Sequence, residues 1–443
     1  MAETMQRWTM DALGRQHLQL NESVIPQPGP HQIRVKVNAV SLNYRDKLVI
    51  ETGMGLELPQ PFTPASDMAG EVDAIGPDVT RFRPGERVIS TFSPGWIDGR
   101  QKPYGNARIP PYRTLGGFYQ GMLAEYVVLH EDWLAAAPTS LDDAQASTLP
   151  CAGLTAWFAL VEQGQLHAGE SVLVQGTGGV ALFGLQIAKM LGAEVYVTSG
   201  SDEKLARAKA LGADHGINRL TADWVEKVYQ LTQDRGIDHV IDTVGGPNLG
   251  NSVRAVAVHG RISVIGALEG FEVSAPAGPL LMKSPVIQGI GVGHRRALED
   301  LVREPLFSAP FCVIARRGHP LAGATTFEEL QDARWLMPET DMGYYQQIRV
   351  SMGGFHQPAA EMPVHTDSVV CGLNMVLQSD YLTIVARAMK APFGLQDKLC
   401  ELNIDTLPQA EYCVLYSQKS PLTFAARRFL DLLRSQCHAY DWS

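Results

Sequence analysis

The sequence predicts an α/β protein with three successive parts: a β-rich N-terminal domain, a doubly wound parallel sheet, and a further α/β segment. Short Val- and Ile-rich stretches separated by Gly, Pro and Asp dominate the first part. After about residue 150, continuous apolar runs alternate with helical patterns, which is typical of a parallel sheet covered on both faces. After Glu304 the α/β rhythm continues with different motifs, so the 443 residues are predicted to hold several domains.

Composition and charge place the chain among ordinary globular proteins. Hydrophobic residues make up 45% and charged residues 19%, and the net charge is −10. This acidic balance argues against nucleic acid or an anionic membrane surface as a partner. No apolar run reaches the ~18 residues of a membrane span, and the N-terminus lacks a signal-peptide pattern, so we expect a cytoplasmic location. The six cysteines form no Cys-x-x-Cys pair and are predicted to be reduced thiols.

The β-rich domain is predicted over residues 1–153. Residues 32–40, QIRVKVNAV, alternate apolar and polar side chains as a half-buried strand does. Residues 70–91 repeat short apolar runs between Gly, Pro and Asp, and residues 124–129 show another strand pattern. This spacing predicts short strands that are joined by tight turns.

The parallel sheet is predicted over residues 154–303. Its strands are predicted at SVLVQG (171–176), EVYVTSG (194–200), HVIDTVG (239–245), RISVIGAL (261–268) and VIQGIGVG (286–293). A helical pattern, VALFGLQIAKMLG, follows the first strand at residues 180–192. The carboxyl ends of parallel strands gather at one edge of the sheet, and open α/β sheets bind their ligands there.

A glycine-rich turn joins the first of these strands to its helix. The motif G-x-G-x-x-A falls on Gly176, Gly178 and Ala181, and Gly179 and Val180 complete the turn. The glycines let the backbone approach a pyrophosphate, while the helix N-terminus offers free N–H groups and the positive end of the helix dipole. Taken alone, such a turn also fits a plain loop with positive φ. Its place between a strand and a helix indicates a dinucleotide site of the Rossmann type.

The tip of the second strand decides between NAD and NADP. NAD-binding sheets place an acidic residue there to hold the ribose hydroxyl. Here the tip carries Ser199 and Ser201, with Lys204 close behind, which suits a 2′-phosphate and favours NADP. Asp202 and Glu203 lie beside them and keep NAD open, and a solvated helix residue is the alternative for the lysine.

The first 303 residues resemble a known enzyme superfamily. SLNYRD (41–46), TPASDMAGEV (63–72), LPCAGLTAWFAL (149–160) and the glycine-rich segment occur in the order and spacing of the medium-chain dehydrogenases/reductases. They are similar to the zinc-free quinone oxidoreductase and alcohol dehydrogenase-like members. The resemblance covers residues from about 5 to 303 and implies a GroES-like N-terminal domain followed by a Rossmann domain. It implies an NAD(P)-dependent oxidoreductase that transfers a hydride to a small carbonyl, quinone or enone substrate.

Zinc is not expected. Zinc-dependent members of the superfamily carry Cys at the place of Asn43, His-Glu at the places of Ser66 and Asp67, and Cys at the place of Cys151. A catalytic zinc normally takes three ligands of the Cys, His or carboxylate type, and only Cys151 keeps the family's residue. No cysteine precedes residue 151, so the four-cysteine lobe of a structural zinc is also missing.

The resemblance also implies the site residues. Asn43, Tyr44 and Asp46 correspond to positions near the nicotinamide and are the predicted catalytic residues. The Tyr44 hydroxyl would donate to a substrate oxyanion, or its ring would pack in a loop. Thr155 is implied to lie near the cofactor. Residues that end or follow the later strands complete the predicted cofactor site, with strand core as the alternative for the valines and isoleucines: Val244, Gly245, Ile265, Gly266, Ile290 and Val292.

After Glu304 the chain resembles a different family. GHPLA (318–322), residues 365–387 and PLTFAARRFLDLLR (421–434) are similar to the effector-binding domain of LysR-type transcriptional regulators. That domain is of the periplasmic-binding-protein type, with two α/β subdomains and a small-molecule pocket between them. The resemblance places three residues near an effector pocket, with a helix cap as the alternative for the threonine: Pro338, Thr366 and Ser368.

Both resemblances are partial. The dehydrogenase match lacks the strand and helix that return to the N-terminal domain, and the regulator match lacks a helix-turn-helix and half of the first subdomain. Residues 304–443 are therefore predicted to be a fragment of an effector-binding domain that is fused to an oxidoreductase. The alternative function is a catalytically silent fusion that binds a small-molecule effector. The predicted partners are the substrate and the effector, and a homodimer stays open.

Overall fold

The computed structural model describes residues 3–100, 113–301, 307–330, 332–338, 364–366, 369–387, 397–404, 407 and 409–412. The chain divides into two compact units, Met1–Arg303 and Glu304–Ser443. The first unit contains a β-rich part and a parallel sheet, and the second unit contains a further mixed sheet. The predicted α/β fold class is confirmed.

Antiparallel strands build the N-terminal part of the first unit. β1 (Thr4–Thr9) and β2 (Gln19–Val24) form a separate two-stranded sheet. A five-stranded sheet has the order β6–β3–β4–β5–β7, and its members are β3 (Gln32–Ser41), β4 (Asp67–Ile75), β5 (Arg87–Ser90), β6 (Tyr126–His130) and β7 (Leu134–Ala136). β3 alternates as its sequence predicts, because Ile33 and Val35 are buried while Lys36 is exposed.

Short helices flank this sheet, and a longer helical run leads out of it. α1 spans Tyr44–Thr52 and α2 spans Asp143–Ala146. α3 (Leu154–Trp157) lies between two π-helical turns, Leu149–Gly153 and Phe158–Glu162. Side chains of this run belong to the same buried cluster as residues of the N-terminal sheet and of the parallel sheet, so the run joins the two parts of the unit.

The parallel sheet has the order β10–β9–β8–β11–β12–β13. Its strands are β8 (Ser171–Gln175), β9 (Glu194–Ser199), β10 (His215–Asn218), β11 (Ile237–Asp242), β12 (Val256–Val264) and β13 (Val286–Gly289). Its helices are α4 (Gly179–Met190), α5 (Asp202–Ala210), α6 (Trp224–Thr232), α7 (Asn248–Ala255), α8 (Ala277–Lys283) and α9 (Arg295–Leu301). All five residues of β8 are buried, as a central strand covered on both faces requires. The chain changes direction at β8, and the gap between β8 and β11 is the topological switch point.

The second unit is a mixed sheet of the order β16–β15–β17–β14–β18, with β19 paired to the start of β14. Its strands are β14 (Phe307–Arg316), β15 (Arg334–Pro338), β16 (Val364–Thr366), β17 (Tyr381–Ala386), β18 (Leu399–Leu402) and β19 (Gln409–Tyr412), and α10 spans Val369–Gln378. Glu328–Leu330 form a 3₁₀ turn between β14 and β15. Residues 421–434, which carry part of the LysR resemblance, lie outside the described residues.

In the described ranges, no helix combines the length and the apolar composition that a membrane crossing needs.

Candidate active site

The glycine-rich turn leaves open space in front of a helix N-terminus. It runs from the end of β8 at Gln175 to the start of α4 at Gly179. Gly176 has a φ of 87°, and no heavy atom of the described residues lies within 4 Å of the Cβ position of either Gly176 or Gly178. Gly178 and Gly179 are exposed. The first hydrogen bond of α4 runs from the Leu182 N–H to the Gly178 carbonyl at 2.9 Å, so the preceding N–H groups can receive a phosphate.

The predicted NADP residues meet at the end of β9. Ser199 ends this strand, and its hydroxyl accepts a hydrogen bond from the Ser201 N–H at 3.3 Å. Ser201 is the N-cap of α5, and its hydroxyl accepts from the Lys204 N–H at 3.4 Å. The Lys204 side chain is exposed. Asp202, which kept NAD open, accepts a 2.7 Å hydrogen bond from the side-chain amide of Asn218.

The sequence patterns did not single out Arg219, which brings a second cation to the same place. Arg219 directly follows β10, and its N–H donates to the Ser199 carbonyl at 3.0 Å. Its guanidinium Nη2 lies 3.8 Å from the position that a Cβ would take on Gly200. Since β10 pairs with β9 in parallel, the residue after β10 lies next to the tip of β9. The strand that precedes Arg219, HGIN, has only four residues and was too short to be recognised as a strand from the sequence.

The ends of β11 and β12 bring four of the predicted cofactor residues together. The Val244–Gly245 turn and the Ile265–Gly266 turn both hydrogen-bond to Asp242, a residue that the patterns did not single out. Ile290 and Val292 follow β13, and both are buried in the large core cluster of the first unit. Their burial fits the alternative of core packing for these two side chains.

A buried acidic cluster lies in the N-terminal part, on residues that the resemblance singles out. Asp67 is fully buried, and its carboxyl accepts from the Ser66 hydroxyl at 2.5 Å and from the Cys151 N–H at 3.0 Å. Asp46 is 3% exposed and accepts from the Asn43 N–H at 2.7 Å. We call Asn43, Asp46, Ser66, Asp67 and Cys151 the acidic cluster.

Thr155 lies directly beside the acidic cluster. Its hydroxyl donates to the Cys151 carbonyl at 2.7 Å, one turn back along the helical run. Thr155 is 3% exposed. Hydrogen bonds thus link the predicted cofactor residue Thr155 through Cys151 to Asp67.

Burial dominates the electrostatics of the acidic cluster. It raises the pKa of the Asp67 carboxyl to about 7, and hydrogen bonds from the Ser66 hydroxyl, the Asn43 side chain and the Cys151 N–H offset this only in part. Burial likewise raises the pKa of Asp46 to about 6. The pKa of the Cys151 thiol is raised by burial and by the negative charge of Asp67, so this thiol is neutral at pH 7 and a poor nucleophile.

Family models match three stretches of the chain. Residues 29–139 match the alcohol dehydrogenase GroES-like domain, residues 179–305 match zinc-binding dehydrogenase, and residues 289–438 match the LysR substrate binding domain. A zinc-type alcohol dehydrogenase-like protein of Schizosaccharomyces pombe is 36% identical over 329 residues, which are 72% of this chain and 91% of the relative. The chain belongs to the medium-chain dehydrogenase/reductase superfamily.

Further relatives agree with this membership. A quinone oxidoreductase of Rattus norvegicus is 29% identical over 255 residues, 57% of this chain and 70% of the relative. A crystal structure from Sinorhizobium meliloti 1021, assigned as an alcohol dehydrogenase, shares 67% identity with a TM-score of 0.66 and covers 68% of this chain and 88% of its own. The protein is an NAD(P)-dependent oxidoreductase of the medium-chain type.

The acidic cluster is a poor donor set for the zinc of zinc-dependent superfamily members. Among the described residues, no group of three or more His, Cys, Asp and Glu side chains is arranged to hold a metal ion. Both oxygens of Asp67 already accept hydrogen bonds, and the Ser66 hydroxyl is the donor to one of them. Asn43 contributes a neutral amide, and its side chain hydrogen-bonds to the Asp67 carboxyl, whose pKa it lowers. The two carboxyls and the thiol of the cluster have pKa values that burial raises, which disfavours the anionic forms that zinc binds.

Tyr44 and Arg45 stand next to the acidic cluster on α1. The Tyr44 ring is 54% exposed, with the Lys47 ammonium 5.5 Å from its centroid, so this ring does not pack in the core. The Arg45 guanidinium donates to the carbonyls of Leu115 at 3.4 Å and Gly116 at 3.2 Å. Arg45 thereby ties a loop to the start of α1.

Two of the predicted effector residues lie on adjacent strands of the second unit. Pro338 ends β15 and Thr366 ends β16, and the two are register partners in a parallel pair. Ser368 lies outside the described residues. The structure thus brings the backbones of Pro338 and Thr366 together at one sheet edge.

Proposed function

We propose that residues 1–303 form a zinc-free, NADP-linked reductase that transfers a hydride from NADPH to a small carbonyl, quinone or enone substrate. The observation that carries the cofactor choice is the end of β9. The hydroxyls of Ser199 and Ser201 lie at this end, the exposed Lys204 follows in the first turn of α5, and the Arg219 guanidinium lies beside Gly200. Asp202 is engaged by Asn218. Hydroxyls and cations suit a 2′-phosphate, whereas an NAD site needs a carboxylate for the ribose hydroxyl.

The topological switch point between β8 and β11 indicates where the pyrophosphate and the nicotinamide would bind. The pyrophosphate would lie in the open space at Gly176 and Gly178, against the N–H groups that begin α4. The nicotinamide would then extend toward the ends of β11 and β12, where the Val244–Gly245 and Ile265–Gly266 turns lie. Bound NADPH supplies the hydride, and the protein has to orient the substrate and stabilise developing negative charge.

Without zinc, hydrogen-bond donors have to polarise the substrate. We assign this role to the side chain of Tyr44, which is exposed at the start of α1. Asn43 positions the start of α1, because its side chain hydrogen-bonds to the buried Asp67. Asp46 hydrogen-bonds to the Asn43 N–H and holds this residue in place. We therefore propose that residues 1–153 bind the substrate and residues 154–303 bind the cofactor.

One titration tests this proposal. Purified protein is titrated with NADPH and with NADH while nicotinamide fluorescence is recorded, and oxidation is then followed after addition of a quinone, an enone or an aldehyde. We expect tighter binding of NADPH, oxidation on substrate addition, and no effect of a chelator. Preference for NADH would overturn the assignment of NADP as the cofactor. One zinc per chain that is lost together with activity on chelation would overturn the zinc-free mechanism.

For the second unit we propose binding of a small-molecule effector. The support is the match of residues 289–438 to the LysR substrate binding domain and the pairing of Pro338 with Thr366 at one sheet edge. If the enzyme part is silent, this binding would be the function of the whole chain. A thermal-shift screen of small metabolites against the full chain, with Thr366→Ala as the comparison, tests this alternative.

We also propose that the first unit forms a homodimer through the β13 edge of its sheet. This strand exposes apolar side chains of its own, Val286 at 45% and Ile287 at 38%. An edge strand with exposed apolar side chains can pair with its own copy about a two-fold axis. Light scattering should show a dimer that Ile287→Glu weakens, while Met190→Glu, at a 57% exposed position on α4, leaves it intact.

A further inference from the structure

Asp242 connects both turns of the predicted nicotinamide site. It ends β11 and is fully buried. Its Oδ1 accepts from the Val244 N–H at 3.0 Å and from the Gly245 N–H at 2.9 Å. Its backbone carbonyl accepts from the Ile265 N–H at 2.8 Å and from the Gly266 N–H at 3.3 Å. A single residue therefore holds the backbone of four predicted cofactor residues.

The same carboxylate is linked to the glycine-rich turn through buried side chains. The Ser252 hydroxyl donates to Asp242 Oδ2 at 2.8 Å and accepts from Gln175 Nε2 at 2.8 Å. Asn248 Nδ2 donates to Gln175 Oε1 at 2.7 Å, and the Thr243 hydroxyl donates to the Gln175 carbonyl at 2.8 Å. Gln175 directly precedes the first glycine of the turn. The network thus spans the switch point between β8 and β11.

We propose that Asp242 is a positioning residue for the nicotinamide half of the cofactor. This inference rests on the proposed NADP-linked function. The sheet order separates the two halves, because β9 lies on one side of β8 while β11 and β12 lie on the other. A dinucleotide with its pyrophosphate at the end of β8 sends its adenosine toward β9 and its nicotinamide toward the turns that Asp242 holds.

The network requires acceptors at both oxygens of Asp242. An asparagine at this position has one acceptor and one donor. If its oxygen faces the Val244 and Gly245 N–H groups, its amide nitrogen faces the Ser252 hydroxyl, which then loses its acceptor. If it turns the other way, the amide nitrogen meets the two backbone N–H groups. The first arrangement breaks the link through Ser252 to Gln175 and the second displaces the Val244–Gly245 turn at the end of β11, while both leave the β9 side unchanged.

The test compares whole and truncated cofactor. The affinities of NADPH and of 2′-phospho-ADP-ribose, which lacks the nicotinamide, are measured by calorimetry for the full chain and for Asp242→Asn. We expect NADPH to bind about tenfold more weakly to the variant, a change of about 1.4 kcal/mol, while the truncated ligand stays within about twofold. Equal losses for both ligands would indicate general structural damage and overturn the proposal, as would unchanged binding of NADPH.

A second variant keeps the test decisive if Asp242→Asn fails to fold. Ser252→Ala removes one donor to the carboxylate and leaves the four backbone hydrogen bonds in place. It should weaken NADPH binding roughly threefold with the same selectivity over 2′-phospho-ADP-ribose. A wild-type chain that binds neither ligand would overturn the proposed function itself. A wild-type chain that binds NADPH, with variants that bind it equally well, would overturn only the role of Asp242.

Discussion

The backbone N–H of Cys151 donates a 3.0 Å hydrogen bond to Oδ2 of Asp67, which ties the helical run at 149–162 to the first residue of β4. Oδ1 of the same carboxyl accepts from the Ser66 hydroxyl. Even with these donors, burial raises the pKa of Asp67 to about 7. A carboxyl at the centre of the N-terminal part therefore changes its charge near neutral pH.

This pKa predicts a pH dependence of stability. Because the folded state raises the pKa of Asp67 above its ordinary value of 3.8, its contribution to stability is greatest below pH 3.8 and is lost as the pH rises toward about 7. Asp67→Asn cannot ionise, so its free energy of unfolding should gain roughly 2–3 kcal/mol relative to wild type between pH 5 and pH 8. Urea unfolding at both pH values measures the difference. Glu22→Gln, at an exposed position in β2, is the control and should show no such trend.

A side chain on Gly178 should abolish cofactor binding without unfolding the protein. Gly178 has a φ of −80°, and its Cβ position has no heavy atom of the described residues within 4 Å. Gly178→Leu should therefore change the free energy of unfolding by less than about 0.5 kcal/mol while NADPH binding falls at least a hundredfold. Gly278→Leu is the matched control, because Gly278 on α8 also has open space around its Cβ position. Retained affinity in Gly178→Leu would place the pyrophosphate elsewhere.

Arg219 should discriminate between the two nicotinamide cofactors. Its guanidinium lies beside Gly200 at the tip of β9, where a 2′-phosphate would bind. Arg219→Ala should weaken NADPH binding about tenfold and leave NADH within about twofold, since only NADPH carries that phosphate. Arg207→Ala, on the exposed face of α5, is the control for a general loss of positive charge. Equal losses of both cofactors would assign Arg219 a structural role.

The sequence predicted those parts of the site that depend on local order. Gly176 and Gly178 stand between a strand and a helix, and Ser199 ends a strand, so their places follow from short-range patterns. Arg219 and Asp242 were missed because their roles depend on which strands are neighbours. β10 must lie beside β9, and β12 beside β11, before these residues reach the site. Which strands pair across such long sequence separations cannot be inferred from a short stretch of sequence.

The buried acidic cluster was also only partly predictable from the sequence. Resemblance indicated where Asn43, Ser66, Asp67 and Cys151 stand in the family's pattern, and it predicted that zinc is not bound. The hydrogen bonds that occupy both oxygens of Asp67 emerge only when β4 and the run at 149–162 are packed together. The raised pKa of Asp67 follows from that packing, because burial is its largest cause.

Each of the two units builds hydrophobic clusters from its own residues. In the first unit these clusters draw on residues between Met10 and Leu301, and in the second on residues between Phe311 and Leu407. A unit with its own core can unfold by itself. We therefore expect calorimetry of the full chain to show two transitions, one for each unit.

Deleting residues 304–443 should consequently leave NADPH binding nearly unchanged, because the glycine-rich turn and the ends of β9, β11 and β12 all precede the deletion. The melting temperature of the first unit should shift by less than about 2 °C. Limited proteolysis of the full chain should cut near Arg303–Ser308, at the boundary between the two units, and release fragments that match them in mass. A single cooperative transition, resistance to cleavage at that boundary, and a large fall in melting temperature on deletion would together show that the two units unfold as one. The second unit would then be part of the enzyme's folding unit, and the view of it as a separately folded effector-binding domain would be wrong.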